Sequence, residues 1–392
     1  MRITWSLPVR GERLDSFRGD LVRARRLVEA LRADGHEVQV VEDVARPGSD
    51  LAVRAYRQVI RRVLPRRVAL VLRDLGRWVH GRNHGRRVAA AVRDQGGDVI
   101  VETQVHLAAS GAFAARSSGR PLVLDDCSPS SEEVVLGGGL PTLTRRLFRA
   151  QVACAERVVV SSRTLAARML AEDVPAAKLC VVPNGVEVGA FEGVDGRALR
   201  AQLGLGARCV LGFVGSFQPW HNVELLMRAL ARLADPSFHV LLVGDGPARE
   251  ATLEAARRLG VADRVTAVGA VDPGRVAELI AAFDVGVLPG TNDYGQPMKL
   301  LEYAAAGRAC VAPDMQPVRE VLEDGVTGLL FPPGDCPALA AALERLARDE
   351  PLRRRLGERA RRCIPPDASW RERARTLLAG LRPSVAAGAR TT

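Results

Sequence analysis

The stretch of the sequence best equipped for chemistry is residues 290–312, GTNDYGQPMKLLEYAAAGRACVA. Two charged side chains, Lys299 and Glu302, lie three positions apart, which places them on one side of a helix. A Gly- and Pro-rich loop precedes them. Free N–H groups at a helix N-terminus carry about half a positive charge, so a lysine in this first turn is suited to bind a phosphate group.

Lys299 is one of only two lysines, the other being Lys178, among 56 basic residues. Arginine has replaced lysine almost everywhere, as a GC-rich coding sequence would favour. A lysine kept in this loop can serve through its compact ammonium group, and chance retention explains it equally well. Glu302, taken alone, has the simpler interpretation of a solvated helix charge.

The elements around this stretch are strand, loop, helix and strand. Met298, Leu301 and Ala305 recur at spacings of three and four, which predicts a helix, and apolar runs at 285–288 and 309–312 predict strands. The loop therefore follows the carboxyl end of a strand, where open α/β sheets bind their ligands. Three further loops leave the predicted strands 210–214, 240–243 and 265–268 through glycine. Backbone N–H groups in such loops can approach an anion closely.

The first half of the chain also alternates strands and helices. A strand at Arg2–Leu7, a helix at Asp20–Ala33 and a strand at Val38–Val41 form a β-α-β unit of the doubly wound kind. The turn Pro183-Asn184-Gly185 opens a Gly- and Arg-rich stretch that reads as a linker. We therefore predict an α/β protein with doubly wound domains at 1–190 and 205–365, followed by a C-terminal helix and a frayed tail at 366–392.

Composition limits the environment and the partners. No apolar run approaches the roughly 20 residues of a membrane span, and the N-terminus reads as a strand rather than a signal peptide. Seven scattered cysteines form no CxxC pair and no His/Cys cluster, so we expect a reduced, cytoplasmic protein without zinc. The formal net charge of +11 implies attraction to anions. The oligomeric state is not indicated.

The most basic stretch, Arg54–Arg87, has 11 arginines and one acidic residue, Asp74, together with an apolar face. Three interpretations fit: a solvated helix pair covering a sheet, a basic amphipathic surface for an anionic membrane or acceptor, and a nucleic-acid surface. We set nucleic acid aside because aromatic residues make up only 4% of the chain, which leaves few stacking platforms.

The loop Asp125–Glu133, DDCSPSSEE, gathers four acids and four small hydroxyl or thiol residues after a predicted strand. It could bind the hydroxyl or amine groups of a substrate. A serine ahead of Glu133 also matches a capping box, so the start of a helix is the alternative interpretation.

Taken together, these motifs resemble the retaining, nucleotide-sugar-dependent glycosyltransferases of family 4. That family has the GT-B fold, in which two Rossmann-like domains face each other across a cleft. The second half carries the resemblance in four motifs, GSFQPWHNVELLMRAL at 215–230, VGDGP at 243–247, PMKLLEYAAAG at 297–307 and VREVLEDGVTGLLFPPGD at 318–335. The first half resembles the acceptor domain through GDLVRARRLVEALRADGHEV at 19–38 and VVPNGVE at 181–187.

The resemblance implies roles for individual residues. Glu302 matches the second glutamate of the E-x7-E motif, which holds the ribose hydroxyls of the nucleotide. Lys299 and His221 would be the cations at the phosphates, which gives Lys299, Glu302 and His221 as the catalytic set. The implied donor-binding residues are Gly215, Ser216, Gly244, Asp245, Gly246, Pro247, Val268, Asp293, Tyr294, Gly295, Gln296, Pro297, Met298 and Leu300.

The sequence departs from the family pattern at several positions. Tyr294 replaces the first glutamate of E-x7-E, and Asp293 could supply that carboxylate from a shifted loop. Ser216 stands where arginine is usual, and His221-Asn222 stands where Lys-Gly is usual.

On the acceptor side, Cys127 occupies the place of a family histidine. The implied acceptor-side residues are Gly19, His106, Asp126 and Cys127.

The implied reaction moves a sugar from a nucleoside diphosphate sugar to an acceptor hydroxyl, with retention and without a metal or other cofactor. The acceptor would be a small molecule, a glycan or a lipid-linked molecule, with peripheral contact to an anionic membrane through 54–87 as an option. Three alternatives stay open: a sugar-nucleotide epimerase, an enzyme that couples cyclitols, and a sugar-nucleotide-binding scaffold without catalysis.

Overall fold

The computed structural model describes residues 1–9, 11–16, 18–43, 64–125, 128–129 and 140–381. The chain divides into two compact units. The first comprises Met1–Val182 with Ala374–Thr392, and the second comprises Pro183–Arg373. The division therefore falls a few residues before the boundary at 190 that the sequence predicts. Within the described ranges, no helix combines the length and the apolar composition needed to cross a bilayer.

The first unit contains a parallel six-stranded sheet with the order β2-β1-β3-β4-β5-β6. Its strands are β1 Arg2–Leu7, β2 Glu37–Glu42, β3 Val99–Thr103, β4 Leu122–Asp125, β5 Arg157–Val160 and β6 Leu179–Val181. Its helices are α1 Gly19–Ala33, α2 Arg66–Gln95, α3 Ser110–Ser118, α4 Pro141–Cys154 and α5 Arg163–Ala171. The order 2-1-3-4-5 is the flavodoxin-like form of the doubly wound sheet, with its switch point between β1 and β3.

The second unit contains another parallel six-stranded sheet, ordered β12-β11-β10-β7-β8-β9. Its strands are β7 Cys209–Val214, β8 Phe238–Val243, β9 Val265–Gly269, β10 Val285–Val287, β11 Ala309–Pro313 and β12 Leu329–Phe331. Its helices are α6 Arg197–Gln202, α7 Val223–Arg232, α8 Arg249–Arg258, α9 Val276–Ala281, α10 Met298–Ala305, α11 Gln316–Arg319, α12 Cys336–Arg348 and α13 Glu350–Arg362. A further helix, α14, spans Trp370–Leu378.

This order is the 3-2-1-4-5-6 arrangement of dinucleotide-binding sheets, and its switch point lies between β7 and β10. Both strands are apolar and buried, as expected for parallel strands covered on both faces. Gly212 and Gly286 lie opposite each other in the two strands. A Cβ on Gly212 would lie 2.1 Å from the Phe283 ring, so only glycine allows this packing.

The fold predicted from the sequence is confirmed: two parallel sheets with flanking helices. The predicted strand Arg2–Leu7 is reproduced, and the helix predicted at Asp20–Ala33 is α1 with one residue added. Residues 44–63, 126–127, 130–139 and 382–392 lie outside the described residues. The interpretations placed on Asp126, Cys127, most of the 125–133 loop and the first part of 54–87 therefore remain predictions.

A buried carboxyl group lies between the sheet of the first unit and its helices. Glu102 of β3 is fully buried, and its Oε2 accepts hydrogen bonds from Ser6 Oγ at 2.9 Å, from Ser110 Oγ and from Gly111 N. Its Oε1 has no hydrogen-bond partner. Burial raises the pKa of Glu102 to about 7, and the hydrogen bonds from Ser110, Ser6 and Gly111 oppose this shift.

We expect the free energy of unfolding of Glu102→Gln to increase relative to that of the native chain as the pH rises from 5 to 8. The folded carboxyl keeps its proton up to about pH 7, whereas the unfolded one releases it near 4.5, so the native free energy of unfolding falls through this window. The relative gain should be roughly 2–3 kcal/mol. Urea unfolding at both pH values measures it.

The control is Glu156→Gln, which changes an exposed carboxyl of the same unit. This variant measures what the loss of a surface carboxyl does to stability at the two pH values, and the trend of Glu102→Gln should exceed it by roughly 2–3 kcal/mol. An equal trend in both variants, or none in Glu102→Gln, would contradict the raised pKa.

Candidate functional site

Two strand ends and one helix build the candidate site in the second unit. The chain leaves β7 through Gly215-Ser216, and it leaves β10 through the loop that leads to α10. Tyr303 of α10 lies at the switch point between them, where its hydroxyl accepts from Val214 N at 3.1 Å and donates to the Val287 carbonyl at 3.5 Å. The Tyr303 side chain therefore connects α10 to both strands and positions the N-terminus of the helix relative to their ends.

Lys299 lies in the first turn of this helix, with its side chain buried and only 9% exposed. Its Nζ lies 3.1 Å from His221 Nε2 and 5.3 Å from the centroid of the Phe213 ring. Among the described residues it makes no ion pair with a carboxylate. Burial lowers the pKa of Lys299 to about 8, and the charge of Glu302 only partly opposes this effect. A buried cation held by a neutral ring and an aromatic face is suited to receive an anion.

His221 ends a short 3-10 helix, Pro219–His221, and holds the lysine from one side. Its Nδ1 lies 2.5 Å from the Ser216 carbonyl oxygen, which can only accept. Nδ1 therefore carries the proton, and Nε2 accepts from the Lys299 ammonium group. Burial and then the nearby Lys299 charge lower the pKa of His221 to about 3. In the unliganded chain the His221 ring is therefore neutral and orients the lysine, and its expected role as a second cation at the phosphates stays a prediction.

The glycines of the first two loops have backbone conformations that admit no side chain. Gly215, Gly244 and Gly246 have φ values of +148°, +116° and +152°. A Cβ on Gly244 would lie 2.1 Å from the Gly215 carbonyl oxygen, and one on Gly215 would lie 3.0 Å from Lys299 Cε. The two loops therefore pack backbone against backbone, directly beside the buried ammonium group.

The loop before α10 is held by Asn184, which lies in the predicted Pro-Asn-Gly turn and in the VVPNGVE motif at 181–187. The Asn184 backbone N donates to Gln296 Oε1 at 2.6 Å, and Asn184 Nδ2 donates to the Gln296 carbonyl at 3.0 Å. Gly295 N donates to Asn292 Oδ1 at 2.7 Å. Asn184 is buried, and its two contacts with Gln296 give it a positioning role that the Pro-Asn-Gly turn signal alone does not indicate.

The remaining donor-side residues differ in how deeply they are buried. Leu300 is fully buried in the apolar core, so any ligand contact from it would come from its backbone. Tyr294, Met298 and Glu302 are half-buried, whereas Asp245, Pro247 and Asp293 are exposed. Val268 belongs to β9, and Pro297 directly precedes α10. The structure thus brings the residues of the first two glycine loops and of α10 together around Lys299.

The acceptor-side residues belong to the first unit. Gly19 opens α1 and is exposed. His106 follows β3 and is buried, with Nε2 3.0 Å from Ser128 Oγ and Nδ1 3.4 Å from Gln104 Nε2. Asp126 and Cys127 lie outside the described residues. Across the described part of the chain, no group of three or more His, Cys, Asp or Glu side chains is arranged to hold a metal ion.

Comparison with known proteins agrees with this geometry. The family model described as glycosyl transferases group 1 matches residues 208–349, and the glycosyl transferase 4-like domain matches residues 19–185. The D-inositol 3-phosphate glycosyltransferase of Segniliparus rotundus is 33% identical over 227 residues, which are 54% of this chain and 48% of that protein. The alpha-D-kanosaminyltransferase of Streptomyces kanamyceticus is 34% identical over 179 residues, 43% of this chain and 45% of that protein. The matches thus span about half the length of these curated relatives.

Solved structures match over nearly the whole chain. Anabaena HepE in complex with UDP-glucose has a TM-score of 0.73 at 20% identity, and the match covers 96% of this chain and 98% of HepE. WaaG, a glycosyltransferase of lipopolysaccharide biosynthesis, has a TM-score of 0.70 at 18% identity, covering 96% and 100%. Sheet order and strand-end loops define a protein of the doubly wound α/β class. The chain belongs to the glycosyltransferases of family 4, with the GT-B fold.

We expect Lys299→Met to stabilise the unliganded chain and to abolish its affinity for polyphosphate anions. A pKa lowered from 10.5 to about 8 corresponds to roughly 3 kcal/mol against the charged form at neutral pH. Loss of the hydrogen bond to His221 should offset about 1 kcal/mol of this gain in stability. Thermal unfolding and pyrophosphate titration measure the two effects.

The matched control is Lys178→Met, at the only other lysine. Lys178 Nζ donates to the carbonyls of Val152, Ala153 and Ala155 at 2.7–2.9 Å, around the C-terminus of α4. This variant should lose about 1 kcal/mol of stability and keep its anion affinity. The assignment fails if Lys299→Met is the less stable of the two, or if both bind pyrophosphate equally well.

Proposed function

We propose that this protein transfers a glycosyl group from a nucleoside diphosphate sugar to an acceptor hydroxyl, with retention at the anomeric carbon. The observation that carries the proposal is the buried Lys299 ammonium group, which forms no ion pair with a carboxylate among the described residues and whose charge Glu302 offsets only in part. An anion that binds beside it supplies the missing counter-charge. The glycine loops at Gly215 and Gly244 allow a diphosphate to approach the backbone closely.

The identity of the donor is supported by the family and by its solved members. HepE has been solved with UDP, with UDP and glucose, and with UDP-glucose. In this chain the diphosphate would lie against Lys299 and the first turn of α10. Glu302, one turn further on, would accept hydrogen bonds from the ribose hydroxyls. The loop from Asp293 to Gln296 would face the sugar.

The chemical difficulty of the reaction is the charge on the departing diphosphate. The bond from the anomeric carbon to the phosphate oxygen breaks, and a bond from that carbon to the acceptor oxygen forms on the same face. The acceptor proton passes to the departing phosphate oxygen. Lys299 and the N–H groups of α10 would stabilise the leaving group electrostatically, and neutral His221 would keep the ammonium group directed at it.

The acceptor is proposed as a polyhydroxylated small molecule, such as a cyclitol phosphate. The support comes from relatives named D-inositol 3-phosphate glycosyltransferase. On the protein side, His106 with Ser128 offers a polar pair at the carboxyl end of β3, next to the switch point of the first sheet. One feature favours a scaffold without catalysis instead: Tyr294 replaces a carboxylate that would contact the donor sugar.

A thermal-shift screen against UDP, GDP, ADP, CDP and dTDP tests the donor site. At about 100 Kd the matching nucleotide should stabilise the native chain by ~2.7 kcal/mol. Lys299→Ala and Glu302→Gln should lose this shift, and Lys178→Ala should keep it. No shift with any nucleotide in the folded native chain would overturn the proposed function.

Turnover separates the enzyme from the scaffold. The nucleoside diphosphate sugar of the matching base is incubated with and without inositol phosphates, aminocyclitols and simple glycosides. Release of nucleoside diphosphate that depends on one acceptor, with an axial product linkage from an axial donor, supports retaining transfer. Nucleotide binding without release in any mixture would favour the scaffold.

We expect the affinity for the nucleoside diphosphate to fall as the pH rises above about 8. Only protonated Lys299 supplies the counter-charge, and its pKa in the unliganded chain is about 8, so Kd should rise by up to about tenfold per pH unit above that value. Calorimetric titration between pH 6.5 and 9.5 measures the trend. In Lys178→Met the affinity should start to fall near pH 8, as in the native chain. In Lys299→Arg this inflection in the plot of affinity against pH should be absent, because a guanidinium group stays charged. An inflection that persists in Lys299→Arg would assign the titration to another group.

A further inference from the structure

Helix α2 exposes a line of large apolar side chains. Val68, Leu72, Leu75 and Val79 are 39–52% exposed, and their spacings of four, three and four place them along one face. Seven large apolar side chains are exposed in the described part of the chain, and these four are on a single helix. At 1.5 Å per residue the line extends about 16 Å along the helix axis. We call these four residues the apolar line of α2.

Arginines lie around the apolar line, and two of them occupy the same helix face further toward the C-terminus. Arg82 and Arg86 follow Val79 at spacings of three and four, and both are exposed. The whole helix carries eight arginines and two aspartates. One of these aspartates, Asp74, is buried and paired with Arg73 at 2.8 Å. The exposed face is therefore apolar in its first half and cationic in its second.

The opposite side of the helix is anchored in the first unit. A Cβ on Gly81 would lie 2.0 Å from the Ala108 carbonyl oxygen, so the helix and the segment before α3 are in close backbone contact. Val88 and Val92 are buried. The helix is therefore held by packing while its apolar line points to solvent. Trp78, half-buried beside the line, lies under the Arg82 guanidinium group at 5.6 Å.

We propose that the apolar line of α2, with Arg82 and Arg86, docks the protein on an anionic membrane surface. An amphipathic helix with an apolar face and flanking arginines lies in the plane of a bilayer, with its side chains among the headgroups. A tryptophan beside an arginine suits the same interfacial layer. A second copy of the chain is disfavoured, because a two-fold contact would set the arginines of both helices against each other.

Vesicle flotation of the full-length chain tests the proposal. The probes are vesicles of phosphatidylcholine alone and of phosphatidylcholine with 40% phosphatidylglycerol, at low and high salt. We expect binding to the anionic vesicles only, weakened by salt. Leu72→Gln/Leu75→Gln should lower the partition coefficient roughly tenfold. Arg82→Gln/Arg86→Gln should lower it about fivefold for each arginine at low salt.

Matched controls come from other exposed positions. Leu170→Gln/Leu259→Gln removes exposed leucines elsewhere, and Arg228→Gln/Arg232→Gln removes exposed arginines of α7. Both should bind anionic vesicles as the native chain does, and all variants should keep the native melting temperature.

Three results would overturn the proposal. The first is no preference of the native chain for anionic vesicles. The second is an equal loss of binding in the controls. The third is a change of molecular mass in light scattering for Leu72→Gln/Leu75→Gln, which would assign the line to a contact between copies of the chain.

Discussion

The second unit is organised around a charge that the described residues do not balance with a carboxylate, the Lys299 ammonium group. Water would solvate this group well, and the protein replaces water with one imidazole nitrogen and the face of one phenyl ring. The exchange is unfavourable for the charged form, which is why the pKa of the lysine is lowered to about 8. The free-energy cost of desolvating the ammonium group is offset by the stability of the rest of the fold. The site is therefore less stable when empty than a neutral side chain would make it, and an anion recovers part of that cost.

Everything near the lysine serves to keep it in this position. Tyr303 joins α10 to both strands of the switch point, and Asn184 holds the loop before the helix through both its backbone and its side chain. His221 is fixed by a carbonyl that can only accept a hydrogen bond, so the ring has one possible tautomer. These contacts join four segments that are distant in sequence. Substitutions of Tyr303 or Asn184 should therefore displace Lys299 without removing a charge from the candidate site.

The sequence predicted the fold well because its signals are local. Apolar runs bounded by glycine loops located the strands, and helical spacing located α10 and its lysine. The relation between Lys299 and His221 could not be predicted in this way, because 78 residues separate them and the neutral state of the ring depends on burial. The same holds for Asn184, whose role as an anchor depends on a contact with Gln296. The apolar face around 54–87 was visible as a pattern, whereas its exposure along α2 required the packed structure.

Neither Ser216 nor the His221 ring carries a charge in the unliganded site, and this limits how the proposed reaction can work there. In the proposed reaction, with Lys299 as the buried cation beside the first two glycine loops, more of the leaving-group charge would fall to backbone N–H groups and to the N-terminus of α10. These dipoles do not titrate, and their directions are set by glycines whose φ values exclude other residues. A site built in this way tolerates changes in its loop side chains better than changes in its glycines. In the unliganded site the pH dependence near neutrality is concentrated in one ammonium group, because burial and the Lys299 charge lower the pKa of His221 to about 3.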